Sequence, residues 1–281
     1  MPLTKRPNGN FGIEGVLSVW FPEIREMQFG EGRIIQNNKF FNWPQAAIST
    51  REEGSTLQSA KEAVVFRIAA NETPELTQDS NYQQFTRTYA VYFQHNGQWY
   101  IAIDDHPNDG NVLFGTADIV NSLSIEQKVK TYGFQFFPRD DKYVKRAIEK
   151  AYGTHRLIRL DGKYSEGEFS RHAYGVYVKD ARGLTYEIPF AEDQLVQAIL
   201  GREAASLYAD FKKNSGNVDH YMGRIILLSI DSWRDKIRDQ ALVTPISLGS
   251  FDHKFGSFLP DADISTGHPY RESLARGILI K

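Results

Sequence analysis

The chain contains no cysteine in its 281 residues. That absence excludes disulfides, thiolate zinc sites, iron–sulfur clusters and cysteine nucleophiles. Long hydrophobic runs are missing too. The longest strongly apolar stretch is IILLSI at residues 225–230, interrupted by Ser229, far short of the ~20 residues of a membrane span. Residues 1–10 are polar and hold no apolar run of signal-peptide length. Charge of one sign does not dominate either: 33 Lys and Arg stand against 35 Asp and Glu, a net charge of -2. A polyanion site would therefore have to be a local patch. Gly-rich phosphate loops, G-x-S-x-G, H-E-x-x-H and zinc-finger spacings do not occur. The default expectation is a cytoplasmic protein with no membrane association. No cofactor is identified.

What is present is enough apolar and aromatic material, 41% and 13%, to bury a sizeable core in one large domain or two modest ones. It is joined by one uneven patch of charge. Residues 128–163 carry ten basic against four acidic side chains, so the local excess is positive in a chain that is slightly acidic overall. Tyr132, Phe134, Phe136, Phe137 and Tyr143 sit among those cations. Rings for stacking beside phosphate-neutralising cations are what a single-stranded nucleic-acid surface requires. The residues expected to bind are Lys130, Tyr132, Phe134, Arg139, Lys142, Lys145, Arg146, Arg156 and Arg159. The octapeptide KTYGFQFF at 130–137 resembles the aromatic strand of RNA-recognition motifs at Lys130, Tyr132, Gly133, Phe134 and Phe137. It departs at Thr131 and Gln135, and that partial match identifies no family. Strand alternation puts Tyr132, Phe134 and Phe136 on one face, which is equally the pattern of a strand packed on a core.

Local patterns predict two hairpins. Residues 88–93 and 98–103 flank the tight-turn pair Asn96 and Gly97. Residues 173–179 and 184–188 flank Asp180 to Gly183. The first strands echo each other, YAVYF at 89–93 and YGVYV at 174–178, as an internal duplication would. A helix is expected after Pro138, capped by Asp140, with Val144, Ala147, Ile148 and Ala151 on its apolar face. Its basic residues then form the opposite, solvated face. A longer helix is expected over 192–213, where Leu195, Ile199, Leu200, Leu207, Tyr208 and Phe211 recur at three and four. A strand is read at 224–230, with short helices at 232–238 and near Ser124. From Val243 onward, Gly, Pro and Ser break every period, so an irregular tail is expected. It ends in a short apolar piece at 277–280.

Two acidic clusters offer alternative chemistry. Asp252, His253, Asp261, Asp263, Ser265, His268 and Glu272 supply oxygen and imidazole donors in the tail. Four of them follow calcium-loop spacing, although Thr266 stands where the sharp turn wants Gly. The heptapeptide DDHPNDG at 104–110 could set Asp104, Asp105 and Asp109 at a strand end, as magnesium or general-base sites do. The same residue types also build plain turns.

The reading is therefore an α+β fold of antiparallel hairpins with helices packed mainly on one side, arranged in one body or in two related lobes. The division is expected in the polar loop 161–167, giving lobes 1–160 and 161–281. The expected function is accessory binding of single-stranded RNA or DNA. A metal-assisted hydrolase or nuclease is the alternative, and a structural subunit with a protein assembly partner comes third.

Overall fold

The tight-turn pair does what its residue types dictate. Asn96 and Gly97 adopt φ of 50° and 75° and reverse the chain between β6 (Gln84–His95) and β7 (Gln98–Asp105). A computed structural model describes residues 3–35, 42–71, 73, 84–105, 135–160, 168–172, 175–179, 185–214, 223–226, 240–248, 264–266 and 273–280. The short strands and turns before this hairpin are β1 (Leu3–Lys5), β2 (Phe11–Ile13), β3 (Met27–Phe29), β4 (Arg33–Ile35) and β5 (Thr56–Leu57). Between them lie helices α1 (Val16–Trp20) and α2 (Asn42–Glu52), and α3 (Ala60–Asn71) follows.

After the hairpin come β8 (Gln135–Pro138), α4 (Lys142–Ala151) and β9 (Leu157–Leu160). A second meander follows in β10 (Glu168–His172), β11 (Gly175–Lys179) and β12 (Thr185–Pro189). Helices α5 (Gln194–Leu200) and α6 (Arg202–Asn214) lead to β13 (Gly223–Ile226), β14 (Gln240–Leu248) and β15 (Ile264–Thr266). The chain closes through β16 (Ser273–Ala275) and β17 (Gly277–Ile280).

These strands form two sheets. The small one runs β1-β2-β3-β17-β5, and the large one runs β12-β11-β10-β13-β15-β14-β6-β16-β4, with β7 and β9 continuing from β6, and β8 beside β14. Pairing is antiparallel except where β13 meets β15 and β16 meets β6. The fold is α+β with antiparallel hairpins, as the sequence led one to expect.

Strand alternation divides the core. Ala90 and Tyr92 of β6 with Leu242, Ile246 and Leu248 of β14 face α3, α5 and α6 and the small sheet. Phe85, Tyr89, Val91 and Phe93 with Ala241 and Val243 face α4 and Ala46 of α2. The small sheet docks on the first side through Phe66 of α3, whose ring meets Phe11 at 6.4 Å and Phe29 at 5.1 Å between centroids.

Three local expectations need correction. The helix expected over 192–213 is two helices, because Gly201 at φ 79° turns the chain between them. Backbone bonding continues on both sides of the break, from Gly201 N–H to the Gln197 carbonyl and from Ala205 N–H to the Gly201 carbonyl, so the hydrophobic period survives it. The cap of α4 is Asp141, which accepts from Tyr143 N–H at 2.8 Å and Val144 N–H at 3.3 Å, and not Asp140. Finally, no irregular tail begins at Val243. Strand β14 is buried from Ala241 to Leu248, and Pro245 is tolerated because the register slips between Pro245 and Ser247, the kind of irregularity that frees a strand from needing that N–H. The expected helices at 232–238 and near Ser124 lie outside the described residues.

Candidate functional site

Two adjacent carboxylates end β7, and adjacent strand residues face opposite ways. Asp104 pairs with Tyr89 and Asp105 with Thr88 in the ladder. On the α4 side, the buried Asp104 has its Oδ2 3.2 Å from Arg146 Nη2 and its Oδ1 3.8 Å from Lys150 Nζ. Arg146 and Lys150 are four apart on α4 and so share a helix face. The Tyr89 hydroxyl lies 3.2 Å from the same Oδ2 and 3.3 Å from the Tyr143 carbonyl, with one hydrogen to donate between them. Burial, and then the neighbouring Asp104 charge, push the Tyr89 phenol far above its ordinary pKa.

On the α3 side, the Thr88 hydroxyl accepts from Ala60 N–H at 2.8 Å and donates to Asp105 Oδ1 at 2.6 Å. Both terminal nitrogens of Arg156 reach Asp105 Oδ2 at 3.4 Å, and Arg146 donates to the Asp105 carbonyl at 2.9 Å. The start of α3 is a reciprocal cap: Ser59 N–H donates to Glu62 Oε2 at 2.6 Å and Glu62 N–H to Ser59 Oγ at 3.2 Å. The other Glu62 oxygen accepts from Arg87 at 2.9 Å. Burial works to lower the Arg87 pKa, but Glu62, Asp105 and Asp104 outweigh it and the net shift is upward. Cations and carboxylates thus neutralise each other across β6, β7, α3 and α4. Removing one partner would leave a desolvated charge behind.

The expected binding residues scatter accordingly. Arg146 and Arg156 are partners of Asp104 and Asp105. Lys142 lies over the Tyr143 ring at 4.7 Å. Lys145 and Arg159 are exposed and Arg139 is half-buried. Lys130, Tyr132 and Phe134 lie outside the described residues. Phe137 packs with the Tyr89 and Val91 side of the core, so this aromatic of the expected stacking strand is packing material. The signal that could have found the pairing is the DD pair at the end of a hairpin. Read as a turn or a metal site, it supplies Asp104 as the ion-pair partner of α4 and Asp105 as that of Arg156.

The acidic alternatives fare similarly. Asp104 and Asp105 face opposite sides of the sheet, which is why they do not form a paired-carboxylate site. Among the described residues no group of three or more His, Asp or Glu could hold a metal ion. Asp252, His253, Asp261, Asp263, His268 and Glu272 lie outside the described residues, and Ser265 is a β15 position.

The second region of interest is the wing formed by β12, β11, β10 and β13. Its ladders set Arg224 opposite Ser170, Ser170 opposite Tyr177 and Tyr177 opposite Glu187. Those four positions form one row on one face of the sheet. The intervening positions, Phe169, Val176, Ile188 and Ile225, fall on the other face. Arg171 shares that other face by register, and Ile226 shares the face of the row.

No protein-family model and no curated protein matches the chain. A solved structure similar in fold is a protein from Nanoarchaeota, described as accommodating massive sequence variation by the C-type lectin fold. It is 13% identical, the match covers 89% of this chain and 98% of that one, and the TM-score is 0.53. The likeness shows the fold. It overturns the nucleic-acid expectation, because the architecture is that of a C-type lectin fold and not of a single-strand-binding sheet. The ion pairs supply the physical reason at residue level: Arg146 and Arg156, central to the expected patch, are committed to carboxylates. Among the described residues no helix is long and apolar enough to cross a membrane.

Proposed function

We propose that the chain is a recognition protein that binds a carbohydrate ligand at the row of positions Arg224, Ser170, Tyr177 and Glu187 across the β12-β11-β10-β13 wing. The observation that carries this reading is the C-type lectin fold, shared over 89% of the chain. The row Arg224, Ser170, Tyr177 and Glu187 supports it chemically. A Tyr offers a ring face and a hydroxyl, a carboxylate accepts from paired sugar hydroxyls, and a guanidinium donates to ring or carboxylate oxygens. Fold alone does not determine function, so the test must address the row itself. A glycan array probed with the purified protein is expected to return a restricted set of saccharides, and Tyr177→Ala with Glu187→Gln should abolish those signals in a folded protein. No saccharide bound in any class would remove the proposal. Signals unchanged in the double variant would move the site off this face.

A protein partner belongs to the same proposal. Val16, Val19 and Trp20 are exposed on one side of α1, at 66%, 64% and 55%, which is an apolar cluster of the kind that contacts proteins. Light scattering of the wild type and of Trp20→Ser should show a shift in association if this side is occupied. The cytoplasmic setting expected from the sequence is also carried here, and cell fractionation tests it.

A further inference from the structure

Segment 273–280 is internal to both sheets. In the large sheet β16 lies between β6 and β4, and in the small sheet β17 lies between β3 and β5. One residue, Arg276, separates the two strands, and it is fully buried. Its guanidinium carbon sits 4.0 Å from the centroid of the Phe66 ring, and its Nη1 donates to the Gly30 carbonyl just beyond β3. Its own carbonyl accepts from Gln58 N–H at 3.1 Å, just beyond β5, and the Gly277 carbonyl accepts from Gly30 N–H at 2.9 Å. Gly277 has no room for a side chain. A Cβ there would collide with Ser55 Oγ and stand 2.9 Å from Ser55 Cβ, and Ser55 is itself held by donating to the Thr50 carbonyl at 2.7 Å.

We infer that residues 273–280 act as a single joint that couples the two sheets, so that displacing it opens the neighbouring strands of both sheets together. Without β16, β4 loses its ladder partner among the described residues and its link to β6. Without β17, β3 and β5 lose their common neighbour. Arg276 makes these one event, because its side chain and backbone reach β3, β5 and α3 from the point where the strands meet. The device is conformational, a local opening unit of the kind that native-state exchange resolves.

Hydrogen–deuterium exchange on the intact protein tests it. Gly277→Ala overpacks the joint against Ser55. Amides of β3 and β5 in the small sheet, and of β4 and the first residues of β6 in the large one, are expected to exchange about tenfold faster or more, by a common factor. Amides of α4, on the opposite face of the large sheet, and of β9, which pairs with β7, should keep wild-type rates. Adding Ser55→Gly, which removes the clashing atoms, should restore protection in both sheets. If Gly277→Ala does not fold, Arg276→Lys gives the same readout, since it keeps the charge and loses the planar contact with Phe66. Acceleration confined to one sheet, a uniform acceleration that includes α4 and β9, or unchanged rates in folded Arg276→Lys would each overturn the inference.

Discussion

Helices α3 and α4 cover opposite faces of the same sheet and differ in almost everything that a sequence displays. Helix α4 keeps Tyr143, Val144, Ala147 and Ala151 buried and Lys142, Lys145 and Lys150 exposed. Its stripe is plain because one side is wet. Helix α3 buries every residue from Glu62 to Ala70, wedged between the large sheet, α5 and α6 on one hand and the small sheet on the other. A helix enclosed all round has no periodic contrast to read. The charges follow the same division. Those of α3 are deep: Glu62 caps its own helix and binds Arg87, and Arg67 reaches the Tyr208 hydroxyl at 3.0 Å. Those of α4 lie at the margin, where Arg146 and Lys150 approach Asp104 beneath them. The lesson is that an amphipathic stripe reports exposure on one side and not importance to the core.

The widest gap between the two helices should show in core truncation. Phe66→Ala on α3 is expected to cost about 3–5 kcal/mol in urea unfolding, since the ring touches Phe11, Phe29 and the Arg276 guanidinium. A loss under about 1 kcal/mol would place α3 outside the core. Next comes a contrast within α4. Arg146→Met takes the nearer cation from the buried Asp104, leaving it Lys150 at 3.8 Å and the Tyr89 hydroxyl, and should cost about 1–3 kcal/mol, whereas its exposed neighbour Lys145→Gln should stay within about 0.5 kcal/mol. Equal effects at the two positions would show that the ion pair with Asp104 contributes nothing.

The pH dependence isolates the middle of the network. The folded-state pKa of Tyr89 is raised, so its contribution is fully present below the unfolded value near ~10 and is lost as pH rises beyond that. Wild-type stability should therefore fall more steeply than that of Tyr89→Phe above about pH 10, by up to ~1.4 kcal/mol per pH unit. Unfolding midpoints of both proteins across that range measure it, and parallel curves would sink the idea. The smallest effect concerns the start of α4. Asp141→Ala should cost about 1 kcal/mol through the lost cap, and Asp140→Ala almost none. The reverse order would restore Asp140 as the cap.

Much of the fold was legible in the residues. Both hairpins, the helix after Pro138, the apolar positions of 192–213 and the terminal apolar strand at 277–280 were visible as local pattern, because each has a turn residue, a cap or one wet side. Helix α3 was not, for want of a wet side, and β14 was not, because Pro245 looks like a breaker until a bulge absorbs it. The candidate site was legible only as a list of charges. Lys145, Arg146 and Arg156 read alike in sequence, and what sets the two arginines apart is the Asp104–Asp105 pair, with Asp105 lying 41 and 51 residues upstream of them.

Composition by itself determined that this is a cysteine-free chain able to bury a large core, and local pattern determined its hairpins and its amphipathic helix. These are properties of neighbours along the chain, where side-chain period and turn chemistry act. Only the tertiary structure decided where the basic face points its charges, which strands share a sheet, and that residues 273–280 sit inside two sheets at once. Those outcomes depend on pairings between segments far apart in sequence. Whether a buried charge is tolerated, or a cation is free to bind, is settled by the partner that folding brings to it, and no local spacing encodes that partner.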